Sequence, residues 1–417
     1  MLFKKIKISA WRQFKEIEID FHPKITIITG ANGAGKTTLL RFLSQHFGWT
    51  PNLLATPKIS AETGLIKYAT GLFRRIFDAH DSTPRNSVGS LTYSNDIVSH
   101  IVVPESGGVQ YNVEIHNQQS VVGLHINSHR PIQSYQQISS IPTNAIGAEQ
   151  AYSNYFSELM QKYQGGYTQF SPMYRMKESI ISMATFGPGN ANVQGNPELA
   201  RLFLEFKTIL TKVLPPTIGF EDISIRIPDV VLVTKSGEFV LDAASGGLMS
   251  IIDLSWQIFL FSHNKEEFTV TIDEPENHLH PSMQRSLLGR LVAAFPKAQF
   301  IVVTHSPFVV SSVKDSYVYA LRYTEDTPTE NEDFQVRNVS SIRLDLNAKA
   351  ATASEILRDV LGVPVTLPEW AEADLKDITQ EFCGKPITGN NLDLLRVKLR
   401  NAGLSEYLPD ALKIIVA

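Results

Sequence analysis

The stretch from Gly30 to Thr37 fits G-x-x-x-x-G-K-[ST] at every fixed position. Small residues let a backbone wrap an anion closely, so that its N–H groups point inward at phosphate oxygens. A helix opening at Lys36 adds the favourable field of its N-terminus at the same place. In this pattern Gly30, Asn32, Gly33, Ala34, Gly35, Lys36, Thr37 and Thr38 form the nucleotide-binding set. Lys36 neutralises the β- and γ-phosphates, and the Thr37 hydroxyl coordinates Mg2+. The chemistry expected is that of ATP with Mg2+.

Three further clusters have residue types that suit the same chemistry. Phe268 to Ile272 is an apolar run that ends in two acids, Asp273 and Glu274. Adjacent acids at that point could instead open a helix as its N-terminal charges. With a phosphate loop upstream, the reading is that Asp273 holds Mg2+ and Glu274 orients and polarises the attacking water. His305 follows a second apolar run, Phe300 to Val303. A lone histidine is more often structural, but its place after the acidic pair suggests that it reaches the γ-phosphate. Ser245, Gly246 and Gly247 precede a helical pattern through Ile251, Leu254 and Ile258. Such a start is either an ordinary N-cap or an anion site made of a hydroxyl and free N–H groups. A chain with one phosphate cradle has most use for a second if it faces ATP held by another copy.

Elements must bring these clusters together. Lys4–Ile8, Glu16–Phe21 and Ile25–Thr29 read as strands, and a helix follows from about Lys36 to His46. Leu91–Tyr93, Ile97–Val103, Val109–Ile115 and Val121–Ile126 read as an antiparallel sheet. Helical periodicity covers about Glu149 to Val213, broken at Gly187–Asn190 and ended by Pro215 and Pro216. After short strands at 223–241, helices alternate with the apolar runs at 268–272 and 300–303, which argues for a parallel α/β core. The fold class expected is α/β: an ATPase head with a mixed central sheet, an antiparallel β subdomain, a helical lobe and a small helical C-terminal extension. The head spans 1–345, with one lobe at about 1–126 and 265–345 and a helical lobe at about 127–264. The extension is 346–417, with helical patterns at Ser354–Leu361 and Leu392–Ala402, the latter stopping at Gly403.

The four clusters in this order resemble the ABC-type ATPases. More closely they are similar to the branch of SMC and double-strand-break-repair heads, RecF-like proteins and OLD-family ATPases. The discriminating stretch is Asp273-Glu274-Pro275-Glu276-Asn277-His278-Leu279-His280-Pro281; transporter ATPases differ directly after the paired acids. Ala10-Trp11-Arg12-Gln13-Phe14 is similar to the branch's N-[FY]-R-x-[FL] element, which implies that Arg12 lies near the nucleotide. Ser245, Gly246 and Gly247 match the signature motif, which the resemblance sets on the γ-phosphate across a dimer; Leu248 replaces the usual Gln or Glu. The Mg2+-binding glutamine of the family is matched by either Gln133 or Gln136, after Ser128-His129-Arg130-Pro131. His278 and His280, two apart, do not share a helix face, and the resemblance implies a loop that contacts the other copy rather than a metal site.

The resemblance also implies a role. No sustained heptads support a coiled-coil arm, and the region after Tyr317 lacks the Asp-x-Asp pair of a Toprim nuclease. A compact head of this kind resembles the ATPase subunits of Septu, PARIS and some retron antiphage modules. The implied partners are a second copy, as a homodimer or higher even oligomer, and a separate effector such as an HNH or Toprim nuclease. The alternative is a RecF- or SMC-like clamp that binds DNA directly. Across 417 residues the formal net charge is −4, which gives DNA binding no support, and basic clusters such as Arg74-Arg75 and Arg175 with Lys177 are small. No apolar run approaches a membrane span, so no membrane partner is expected. A lone cysteine, Cys383, fits a reducing cytoplasm.

Overall fold

The computed structural model describes residues 1–50, 52–59, 64–71, 86–104, 108–129, 135–325, 337–361, 368–384 and 388–416. The chain divides into two compact units, Met1–Ala353 and Ser354–Ala417. Among the described residues no helix is long and apolar enough to cross a membrane.

The first unit is built on an eleven-stranded sheet. Its strands are β1 (Phe3–Trp11), β2 (Phe14–Asp20), β3 (Ile25–Gly30), β4 (Ser87–Tyr93), β5 (Val98–Val102), β6 (Glu114–His116), β7 (Gly123–Ile126), β8 (Phe268–Asp273), β9 (Ala298–Val303), β10 (Tyr317–Glu325) and β11 (Arg337–Arg343). Their spatial order is β6-β5-β4-β1-β2-β11-β10-β3-β9-β8-β7. From β10 to β7 every neighbour is parallel. Parallel strands are covered on both faces and so read as unbroken apolar runs; β3, β8 and β9 are buried at every residue. From β6 to β2 the pairs are antiparallel, and short turns join β1 to β2 and β4 to β5.

The sequence reading misplaced one strand. Val121–Ile126 was expected in the antiparallel sheet, yet β7 lies at the far edge and pairs in parallel with β8, Leu124 opposite Val270 and Ile126 opposite Ile272. Gly123 permits this approach, because a Cβ there would sit 2.6 Å from the Thr269 carbonyl oxygen. The Val109–Ile115 run also splits: Gln110–Tyr111 pairs with Leu53–Leu54, and β6 pairs with β5.

The helices of this unit are α1 (Lys36–Ser44), α2 (Ala148–Tyr163), α3 (Pro172–Phe186), α4 (Pro197–Val213), α5 (Gly246–Ser262) and α6 (Pro281–Ala294). α5 is apolar nearly all round, and every residue from Leu248 to Leu260 is buried, as befits a helix surrounded by protein. Trp256 meets Phe206 of α4 edge to face at 4.8 Å between ring centroids. A three-stranded antiparallel sheet, 220–240, stands beside α3 and α4. Arg175 and Lys177, read above as a small basic cluster, do not form a basic surface. Lys177 is fully buried, its Nζ 2.8 Å from Asp242 and donating to the Gln136 carbonyl, and Arg175 pairs with Glu158 and Glu178. Arg74 and Arg75 lie outside the described residues.

The second unit packs Glu369–Gln380, Gly389–Asn401 and Leu408–Val416 around Leu375, Phe382, Leu395, Leu399 and Leu404. Thr388 caps the middle helix, and Gly403, at φ +73°, ends it with a Leu404 N–H to Leu399 carbonyl bond.

Candidate active site

Register sets three strand exits side by side. Asp273 pairs with Val303 and Val303 with Ile28, so β8, β9 and β3 release Glu274, Thr304 and the phosphate loop at one edge. Ligands of parallel α/β sheets bind at this carboxyl edge. Gly35 occupies the N-cap of α1 in the left-handed region and offers no side-chain cap. α3, α4, α5 and α6 are all capped, by Ser171, Asn196, Ser245 and His280. The first N–H groups of α1 are therefore left for an anion. The Phe14 ring lies against Gly35 so closely that a Cβ would collide with it. Asn32, Gly33 and Thr37 are exposed, Ala34 and Lys36 buried, and Gly30 and Thr38 lie on the same loop and first turn.

Lys36 Nζ donates to the carbonyls of Gly30 and Ala31, both at 2.9 Å, and stands 3.4 Å from His305 Nδ1. Burial pulls its pKa down to about 8, against the opposing charges of Glu274, Asp273 and Glu276. The Thr37 hydroxyl donates to Asp273 Oδ2 at 3.0 Å. Asp273 Oδ1 is buried with no hydrogen-bond partner, and burial raises this carboxyl to about 6. An unpartnered buried carboxylate oxygen next to a hydroxyl is a hard-oxygen donor set that fits Mg2+.

Glu274 leaves β8 at φ +48°, with its N–H held by the Val303 carbonyl at 2.8 Å. Positive φ is costly for a residue with a Cβ and turns up at functional sites. The bend aims the carboxylate at His305, whose Nε2 is 3.5 Å from Oε1. Burial, and then the Lys36 charge, hold His305 below the usual histidine range. One residue that spacing did not single out fixes this loop. Glu276 Oε1 accepts from the Thr304 hydroxyl (2.6 Å), the His305 N–H (2.8 Å) and the Ser306 N–H (3.2 Å). Sequence marked it only as part of the Asp273-to-Pro281 stretch, with no sign of these partners.

The signature residues lie at the start of α5. Ser245 and Gly246 are exposed, and the Ser245 hydroxyl accepts from the Leu248 N–H at 3.4 Å. A Gln or Glu at this third helical position would reach back to the cap N–H; the buried Leu248 leaves that half of the capping box unmade. Gly247 packs against the His278 carbonyl, 2.9 Å from where a Cβ would stand. Asp242, three residues earlier, is anchored by Lys177.

Two expected residues point elsewhere. The Arg12 guanidinium donates to the Leu54 carbonyl (2.8 Å) and the Tyr111 hydroxyl (2.7 Å) and lies over the Trp11 ring. The neighbour Gln13 meets the phosphate loop instead, donating to the Gly33 carbonyl at 3.2 Å. Arg12 and Gln13 form the two-residue turn between β1 and β2, with Arg12 in the left-handed region at φ +51°. Gln136 donates to the Gln169 carbonyl and accepts from the Ser171 N–H, both at 3.0 Å, so its amide braces the start of α3 rather than standing open for a cation. Gln133 lies outside the described residues.

A family profile described as "AAA domain" matches residues 5–170, and one described as "AAA domain, putative AbiEii toxin, Type IV TA system" (AAA_21) matches 233–311. The class these resemble, together with the phosphate-loop motif, is that of the AAA-domain P-loop ATPases. Within it the chain is similar to the Septu protein PtuA of Bacillus thuringiensis, 22% identical over 89% of this chain and 87% of that protein. It is also similar to the Retron Ec83 probable ATPase of Escherichia coli, 43% identical over a stretch covering 13% of this chain and 10% of that protein. Among solved structures it matches the SMC head domain from Thermotoga maritima, with a TM-score of 0.40 and 12% identity over 83% of this chain and 100% of that chain.

Proposed function

We propose that this chain hydrolyses ATP at a site completed by a second copy of itself, and that the pairing governs a separate effector, a nuclease of HNH or Toprim type, in a bacterial antiphage system. The carrying observation is an asymmetry. Lys36, Thr37, Asp273, Glu274 and His305 converge on one sheet edge, whereas the exposed Ser245 hydroxyl is held by the first turn of its own helix. The names of the Septu and retron relatives support the antiphage setting.

In this reading the uncapped turn of α1 and the Lys36 ammonium grip the β- and γ-phosphates. Thr37 and Asp273 would hold Mg2+, which supplies charge neutralisation at the phosphate oxygens. Glu274 accepts a hydrogen bond from the water and turns its lone pair toward phosphorus. His305, kept neutral by its surroundings, presents an N–H to the γ-phosphate edge. The partner's signature turn would donate its hydroxyl and N–H groups from the opposite side.

Glu274→Gln keeps the shape and removes the carboxylate. With ATP it is expected to abolish turnover, retain nucleotide and shift solution mass toward paired heads. Unchanged turnover, or no ATP-dependent pairing, would overturn the mechanism. DNA degradation by the purified chain alone would overturn the separate-effector role.

A further inference from the structure

Asn277 occupies a junction that the proposed chemistry does not by itself require. Its side-chain amide has two N–H bonds to give, and both are used. One goes to Glu274 Oε2 at 3.1 Å, and the other to the Ser128 carbonyl at 3.1 Å. Its own backbone carbonyl accepts from the Ser250 hydroxyl at 3.2 Å. These three partners belong to different parts of the unit. Glu274 follows β8, Ser128 follows β7 two residues before the segment that leads to α2, and Ser250 lies on α5, five residues after the signature serine.

The Glu274 carboxylate is otherwise loosely held. Its other oxygen has His305 at 3.5 Å, too long for a firm hydrogen bond. Its backbone is in a strained turn. A carboxylate in such a place has rotamers to spare, and catalysis depends on a particular one, since small misplacements of a positioned group cost large factors in rate. The Asn277 amide is the short, direct contact that selects among them.

We propose that Asn277 is the positioning residue for Glu274: it aims the water-orienting carboxylate and ties that aim to the β7 exit at Ser128 and to α5 at Ser250. What Ser245 meets at the head of α5 therefore reaches Glu274 through two hydrogen bonds, Ser250 to Asn277 and Asn277 to Glu274. This rests on the reading of Glu274 given above. A purely structural Asn277, bracing the turn in which its N–H bonds the Glu274 carbonyl, would matter to stability and not to the rate at saturating ATP.

The test uses the full chain and reads steady-state ATP turnover, affinity for a fluorescent ATP analogue, and Tm. The variants are Asn277→Ala, Asn277→Asp, Ser250→Ala, Glu274→Gln and the double Asn277→Ala/Glu274→Gln. Asn277→Asp is isosteric and keeps the turn, while it replaces both donors with carboxylate oxygens facing Glu274. Both Asn277 variants are expected to lower kcat by about 10- to 100-fold with KM and analogue affinity within about twofold. Ser250→Ala is expected to lower kcat by about two- to fivefold. The double variant should turn over no more slowly than Glu274→Gln alone. An unchanged kcat in Asn277→Asp, or losses that multiply in the double variant, would overturn the inference. If Glu274→Gln itself retains full turnover, the reading of the site fails, and that outcome is separate from failure of Asn277 alone.

Discussion

The proposed function draws on two helix N-termini, and they are built differently. α1 starts at a glycine with no side-chain cap, amid Lys36, Asp273 and His305 of its own chain. α5 starts at an exposed serine whose hydroxyl already caps it and whose neighbours are glycines. The first end has charge, a hard-oxygen pair and a strained acid close by. The second has only a hydroxyl and N–H groups to offer. On the proposed function the difference makes the two complementary halves: one to bind and react, the other to complete what a second copy holds.

The largest effect that would sharpen this contrast is at the first half. Lys36→Ala should remove nucleotide binding, seen by equilibrium dialysis, while Glu274→Gln keeps binding and loses at least about 100-fold in turnover. Next comes a mixing experiment. Lys36→Ala and Ser245→Arg should each be inactive alone. Together they should recover about a quarter of wild-type turnover, because half the pairs are mixed and each has one intact site of two. No recovery would mean that both halves serve the same chain, and the contrast would be broken.

A smaller effect separates the two halves by acid. His46, after α1, accepts from the Tyr93 hydroxyl, and His125, on β7, bonds Thr271 and Asn127. Burial pulls both to about 4. Their unfolded value is near 6.5, so the stability their neutral forms permit is complete above that pH and is lost as pH falls toward 4. At pH 5 each should cost about 2 kcal/mol, measured by urea melts at pH 5 and 7.5. Hydrogen exchange should loosen around α1, β7 and β8 before α5. The smallest effect is at the α1 cap. Gly35 sits at φ +94° against Phe14, so Gly35→Ala should cost about 1–3 kcal/mol in Tm-derived stability and weaken ATP binding and ATP-dependent pairing together.

Much of the site was legible because its motifs are local. The phosphate loop is contiguous, and Asp273 and His305 follow apolar runs whose burial on both faces gives an unbroken pattern. What spacing missed is long-range. β7 looks like its antiparallel predecessors, since a four-residue strand does not say which edge it will join. Arg12 turns to Tyr111 and leaves Gln13 on the phosphate loop, a choice made by the backbone of the turn between β1 and β2 rather than by residue type. Glu276 contacts residues 28 to 30 positions away in sequence, and Gln136 is spent on residues 33 and 35 away. No periodicity encodes such pairs.

Glu276 has a consequence for motion. One carboxylate oxygen gathers a hydroxyl and two successive amides, so the turns that leave β8 and β9 are stitched into one body. The His305 and Ser306 amide protons, although they lie in a loop, should exchange with solvent deuterium as slowly as those of the strand before them. Glu276→Ala should release the His305 amide, while the Ser306 amide keeps its 2.9 Å bond to the Thr304 hydroxyl and the exchange of β9 stays untouched.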